Sequence, residues 1–117
     1  FHLMSTDIVD RFANNLTEVE YPKKNEGWNI KGIIKGHSNQ PFKFDVRDMR
    51  KRVDDLFQKR IHTGSRADKV VFETKTKWVI LDSETLNKHV TESEKREFHI
   101  EDLMKHLDWN IYVDKSI

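Results

Sequence analysis

Residues 69–82 read KVVFETKTKWVILD, and this stretch decides the fold. It holds two contiguous apolar runs, Val70–Phe72 and Trp78–Leu81, joined by polar residues that suit a turn. Runs that are apolar at consecutive positions are typical of central strands, because both faces of such a strand meet protein. The stretch therefore predicts a β-hairpin at the centre of a sheet.

Hydrophobic periodicity predicts the elements on either side of this hairpin. An apolar period of three to four residues predicts helices over about 6–17, 46–61 and 100–107. Asp45 is expected to cap the second of these, and Asp82 a further short helix through Val90. Alternation predicts strands near 18–21, 28–34, 42–44 and 109–113, with a polar connector over 92–97.

These elements follow in the order αβββαββααβ, which favours a single α+β domain over residues 4–117. We expect a mixed or antiparallel central sheet packed by helices. Met4 is the expected natural start, so residues 1–3 are left out of the functional reasoning.

Composition excludes several classes of protein. The chain has 117 residues and a net charge of +1, although 35% of its residues are charged, so it is neither a polybasic tail nor an acidic mimic. With no Cys, it has no disulfide, thiol nucleophile or thiolate metal site. Apolar runs of at most four residues fall far short of the ~20 that span a bilayer. No secretory signal is visible, which favours a cytoplasmic protein without a membrane partner.

Charge is segregated along the chain. Residues 43–77 hold 11 basic and 6 acidic residues, whereas residues 82–117 hold 9 acidic and 5 basic ones. A basic segment of this kind contacts phosphates, so the first functional hypothesis is a small nucleic-acid-binding domain. The alternative is a solvated helix face whose cations pair with nearby aspartates. The residues expected to bind nucleic acid are Arg47, Arg50, Lys51, Arg66, Lys75 and Lys77.

Carboxylates stand at one end of the predicted hairpin. Asp68 precedes its first strand, and Asp82 and Glu84 end and follow its second. If these groups converge they repel one another unless a cation neutralises them, and their hard oxygens suit Mg²⁺ or Mn²⁺. Such a metal activates water for phosphodiester hydrolysis. The second hypothesis is therefore a metal-dependent nuclease, with Asp68, Asp82 and Glu84 catalytic and with Asp68 and Asp82 as metal ligands. As helix cap, Asp82 also has a purely structural explanation.

The acidic arrangement is similar to the Asp…(Asp/Glu)-x-Lys signature of the restriction-endonuclease-like nucleases. That resemblance covers Asp68 to Glu84 alone, and it implies two metal-binding acids and a Lys that assists the water. Here Glu84 replaces the Lys, so Lys69, Lys75 or Lys77 must substitute for it. A second match to the (Asp/Glu)-x-Lys part of the signature is Glu73-Thr74-Lys75. Asp68 is then only five residues upstream on the same strand, which is too close for the usual two-strand geometry.

Other chemistry has less support from the sequence. His62 beside Thr63–Arg66 suggests a metal-free ribonuclease, but no second catalytic group can be assigned. The remaining histidines are too far apart or too isolated in the sequence to predict a zinc site. Among the aromatic residues, Tyr21 is the one expected to stack on a base. The third hypothesis is a protein-interaction module, of the immunity or inhibitor type, that uses the acidic C-terminal third.

Overall fold

The computed structural model describes residues 6–24, 26–37, 39–50, 56–58 and 66–115. Three helices and eight strands are assigned within these ranges. In chain order they are α1 (Thr6–Ala13), β1 (Leu16–Glu20), β2 (Ile30–Ile34), β3 (Phe42–Asp48), β4 (Leu56–Gln58), β5 (Lys69–Glu73), β6 (Lys77–Asp82), α2 (Ser83–Glu92), β7 (Glu97–His99), α3 (Ile100–His106) and β8 (Asn110–Asp114).

Six of the strands form one mixed sheet in the order β1-β2-β3-β5-β6-β8. β3 and β5 run parallel, and the other neighbours are antiparallel. β4 and β7 form a separate two-stranded sheet. Because parallel neighbours need a crossover, a connection of twenty residues separates β3 from β5. The predicted α+β class with a mixed sheet is confirmed.

The β5–β6 hairpin lies inside this sheet, as its apolar runs predict. Val71 pairs with Ile80, and the hairpin has a two-sided core because successive side chains point to opposite faces. Val70 and Phe72 pack with residues of α2 and α3 on one face. Val71 and Ile80 pack with α1 on the other. Burial on both faces thus follows directly from the contiguous apolar pattern.

The predicted helix over 46–61 is wrong. Phe42–Asp48 continues as strand β3, and Leu56–Gln58 forms strand β4; the rest of the stretch, apart from residues 49–50, lies outside the described residues. Asp45 caps no helix and is a fully buried strand residue opposite Val70. The reason is tertiary: β3 lies between β2 and β5, where it is hydrogen-bonded on both sides. Alternation of Phe42, Phe44 and Val46 was the local signal for this strand, and it overlaps the helical spacing.

Elements after the hairpin agree more closely with the sequence predictions. The Asp82 carboxylate caps α2 by accepting a hydrogen bond of 3.1 Å from the Thr85 N–H. The predicted helix over 100–107 is α3, and the closing strand is β8. The end of the expected polar connector instead begins β7, which pairs with β4. In the part of the chain that the structure describes, no helix is long and apolar enough to cross a membrane.

Candidate functional site

A buried carboxylate at the end of β5 collects three cations. Glu73 is 1% exposed, yet it accepts bonds from Arg11 at 2.8 and 3.2 Å. Lys115 Nζ lies 2.9 Å from Glu73 Oε2, and Arg50 Nε lies 3.2 Å from Oε1. Arg50 also makes a two-pronged contact with Asp48 at 2.9 and 3.0 Å. We call Glu73, Asp48, Arg11, Arg50 and Lys115 the Glu73 cluster.

Four segments of the chain bring this cluster together. Arg11 lies in the last turn of α1, which covers this face of the sheet. The Met49 N–H donates to the Glu73 carbonyl at 2.9 Å and so fixes the neighbouring Arg50 beside β5. Lys115 directly follows β8 and is held by its N–H bond of 2.9 Å to the Thr76 carbonyl. The cluster is therefore a product of tertiary structure.

Hydrogen bonds keep the Glu73 cluster ionised at neutral pH. Burial acts to raise the pKa of Glu73, but the bonds and charges of Arg11 and Lys115 outweigh it and hold that pKa below its usual range. The hydrogen bond from Arg50 lowers the pKa of Asp48 in the same way. The bond to Glu73 raises the pKa of Arg11, and the bond to Asp48 raises that of Arg50. All four groups are therefore charged under physiological conditions.

The cluster continues into a basic surface. The side chains of Arg11 and Arg50 remain 38% and 41% exposed, so solvent reaches part of each. Lys75 is exposed on the β5–β6 turn, and Lys77 begins β6. Thr74 holds this turn in shape, because its hydroxyl accepts a bond from the Lys77 N–H at 3.0 Å. We call the five cations Arg11, Arg50, Lys75, Lys77 and Lys115 the basic end of the sheet.

The predicted nucleic-acid-binding residues are divided by the fold. Arg50, Lys75 and Lys77 are at the basic end. Arg47 is 8% exposed and pairs with Asp45 at 3.0 Å, so its guanidinium is inside the protein. Arg66 is exposed but precedes β5, at the opposite end of that strand. Lys51 lies outside the described residues.

Two cations at the basic end were missed by sequence reasoning. Arg11 is 62 residues from Glu73 in the chain, and Lys115 lies in the acidic C-terminal third. Neither has a local signal that would connect it with β5. The sequence predicted β8, the strand just before Lys115, as a closing strand, but it did not predict that β8 pairs with β6.

The three predicted catalytic acids lie at the other end of the hairpin. Asp68, Asp82 and Glu84 line one cavity of about 360 Å³. Lys69 lines it too, and its Nζ lies 2.7 Å from Asp82 Oδ1. Of the three lysines considered as substitutes for the missing signature Lys, Lys69 is therefore the one beside these acids. Lys75 and Lys77 are at the basic end.

Three of the six carboxylate oxygens that Asp68, Asp82 and Glu84 bring to this acidic cavity accept hydrogen bonds from described residues. Asp68 Oδ2 accepts from the Lys43 N–H at 2.9 Å, while the two oxygens of Asp82 accept from Lys69 and from the N–H of Thr85. Burial acts to raise the pKa of Asp82, but the hydrogen bonds from Lys69 and Thr85, with the charge of Lys69, together outweigh it and lower that pKa. Among the described residues, no group of three or more His, Asp or Glu is arranged to hold a metal ion.

Lys69 is itself enclosed by aromatic rings. Its Nζ lies 3.8 Å from the Trp109 ring centroid and 4.7 Å from that of Phe42. This cation–π contact and the bond to Asp82 leave the ammonium group little freedom. This geometry indicates that Lys69 holds the start of β5 against the two rings and against Asp82, the residue that caps α2.

Histidines meet in a second cavity, of about 250 Å³. His89, His99 and His106 line it, and the rings of His89 and His106 are stacked with centroids 5.7 Å apart. Their grouping was missed because it joins α2, β7 and α3. The ribonuclease interpretation of His62 and Thr63–Ser65 falls on residues outside the described ranges.

No family model, no curated protein and no solved structure matches this chain. The chemistry of the two ends of the hairpin is therefore the basis for function. Among the described residues, one end brings together Arg11, Arg50 and Lys115, while at the other Asp68 and Asp82 make contacts within the protein.

Proposed function

We propose that this protein binds nucleic acid by its phosphate groups, at the basic end of the sheet. The observation that carries the proposal is the convergence of Arg11, Arg50 and Lys115 on the single buried carboxylate of Glu73. Counterion release on binding such cations supplies most of the sequence-independent affinity for nucleic acid.

The charge count at this end supports an anionic ligand. Among the described residues, the five cations outnumber the carboxylates that pair with them, namely those of Glu73 and Asp48 and that of Asp114, which is in register with Lys77. Because Glu73 is buried, a ligand at this end would contact the cations and not the carboxylate itself.

The ion pairs also prepare the cations for binding. A guanidinium already fixed by a carboxylate loses less side-chain entropy when it contacts a phosphate. Arg11 and Arg50 each combine such a fixed bond with an exposed portion of the side chain. This combination supports phosphate contact more strongly than freely rotating surface lysines do.

The substitution Lys75→Glu tests the proposal, since Lys75 is exposed on the turn and its loss leaves the core intact. We expect wild-type protein to bind labelled oligonucleotides with an affinity that falls steeply with salt. Lys75→Glu should weaken binding about tenfold and reduce the slope of log K against log salt by about one. Fluorescence anisotropy over a salt series measures both.

Lys35→Glu is the matched control. Lys35 is exposed just after β2, near the start of β3 and thus at the end of the sheet opposite the basic end. The Lys35→Glu variant should bind nucleic acid as the wild type does. Equal affinity of wild type and Lys75→Glu would contradict the proposal. A wild type that binds no nucleic acid at low salt would also contradict it, and would favour the protein-interaction module of the acidic C-terminal third.

A metal-dependent nuclease is the second candidate, favoured by the shared cavity of Asp68, Asp82 and Glu84. It ranks lower because Asp82 uses both oxygens within the protein. A nuclease would cleave labelled DNA or RNA in Mg²⁺ or Mn²⁺ and lose that activity in Asp68→Asn and in EDTA. If the wild type binds nucleic acid but does not cleave it, the nuclease is excluded and the binding function stands.

A further inference from the structure

Resting on the proposed function, we propose that the ligand is single-stranded nucleic acid and that Tyr112 stacks on one of its bases. Tyr112 is in the middle of β8, which is last in the strand order of the sheet. Its side chain is 54% exposed, while Ile111 and Val113 on either side pack against the core that α1 covers. Alternation along the strand places the ring on the other face.

The Tyr112 ring is joined to the basic end by a cation. Lys77 Nζ lies 5.7 Å from the Tyr112 ring centroid. In register, Lys77 pairs with Asp114, and the next residue is Lys115 of the Glu73 cluster. Lys77 of the basic end is therefore beside the aromatic face, whereas Lys115 contacts Trp78 on the opposite face of the sheet. A strand stacked on Tyr112 would reach the Glu73 cluster around the end of β6 and β8.

This juxtaposition selects for a single strand. In a duplex the faces of the bases are covered by their neighbours, whereas an unpaired strand presents them for stacking on aromatic side chains. Proteins that bind single strands without sequence preference combine a basic track with such rings. Lys77 adds charge beside the ring at the point where the backbone of a stacked nucleotide would pass.

Tyr21 does not offer the same surroundings, although the sequence singled it out. It is equally exposed, at 53%. Its hydroxyl donates to Asp10 Oδ1 at 3.2 Å, which places a carboxylate beside the ring. It follows β1, at the opposite edge of the sheet from β8. Tyr21 is thus a control of the same residue type and exposure.

The test compares a labelled oligothymidylate with a labelled duplex at one low salt concentration, by fluorescence anisotropy. We expect Tyr112→Ala to weaken binding of the single strand about tenfold and to leave duplex binding unchanged. Tyr112→Phe keeps the ring and should bind as the wild type does. Tyr21→Ala should also be neutral.

The outcomes separate this inference from the proposed function. Unchanged single-strand binding in Tyr112→Ala, or an equal loss for both probes, would overturn the stacking role while nucleic-acid binding stands. A duplex bound more tightly than the single strand by the wild type would overturn the choice of ligand. Wild-type protein that binds neither probe would overturn both. Thermal unfolding of Tyr112→Ala checks that the fold is retained, and normal binding by Tyr112→Phe excludes a role for the hydroxyl.

Discussion

Glu73 shows how one buried charge is accommodated. A carboxylate removed from water is costly unless it is paired and hydrogen-bonded, and here Arg11 and Lys115 supply both. The same residue thereby gathers cations that would otherwise repel one another. Its structural role and the proposed phosphate binding are two results of one arrangement.

Acid should destabilise the protein through this residue. A carboxylate whose pKa is lowered by folding contributes stability above its unfolded pKa of about 4.3, and that contribution is lost as the pH falls through the folded value. We expect the free energy of unfolding to change little between pH 7 and 5 and to fall below about pH 4.5. Urea unfolding at several pH values measures it.

Glu73→Gln is the control for this acid lability. It should lower stability at pH 7 by about 1–3 kcal/mol, because charged hydrogen bonds are lost in a buried site. Its stability should then fall less steeply on acidification. An identical slope in wild type and variant would show that other carboxylates, such as Asp48, are responsible.

At the scale of the elements, the two ends of the β5–β6 hairpin are fastened differently. Glu73 holds one end to α1 and β8. At the other end, Asp82 links Lys69 of β5 to the first turn of α2. Two nonlocal ion pairs thus tie the central strands to the helices that cover each face.

Removing the carboxylate of Asp82 should destabilise the protein. Asp82→Ala loses both the helix cap and the partner of Lys69, at a cost of about 1–2 kcal/mol. Asp82→Asn still offers an oxygen to the Thr85 N–H and should cost less than half of this. Urea unfolding at pH 7 compares the two. Equal losses of stability in Asp82→Ala and Asp82→Asn would mean that the ion pair with Lys69 contributes more to stability than the helix cap does.

How well the sequence predicted each element depends on whether the residues that determine it are close together in the chain. The hairpin, the Asp82 cap and α3 follow from local apolar runs and a capping residue. β3 and β7 depend on partners distant in sequence, namely β5 and β4. The helical spacing of apolar residues near Val46 therefore gave a wrong prediction, because the neighbouring strands of the sheet determined the conformation of β3.

For the whole molecule, the fold separates charge differently from the sequence, since Lys115 of the acidic third joins the basic end and Asp68 of the basic segment joins the acidic cavity. The basic end and the acidic cavity are at opposite ends of the same hairpin. The placement of Asp68, Asp82 and Glu84 at one end of the hairpin was predictable, because the hairpin register brings the start of β5 beside the end of β6. The basic end was only half predictable, since Arg11 and Lys115 arrive from opposite ends of the chain.

The parallel pairing of β3 with β5 has a consequence for how the chain folds. Segments before and after the crossover each contain mostly sequential antiparallel neighbours, which form with short loop closures. Pairing β3 with β5 requires closing the twenty-residue connection, and pairing β6 with β8 requires closing one of twenty-seven residues, so both have a larger entropic cost than the sequential pairings. Arg11 and Arg50 come from the first half, and Glu73 and Lys115 from the second. The proposed ligand-binding end thus depends on both of these long-range pairings, so the proposed affinity for nucleic acid would report completion of the fold.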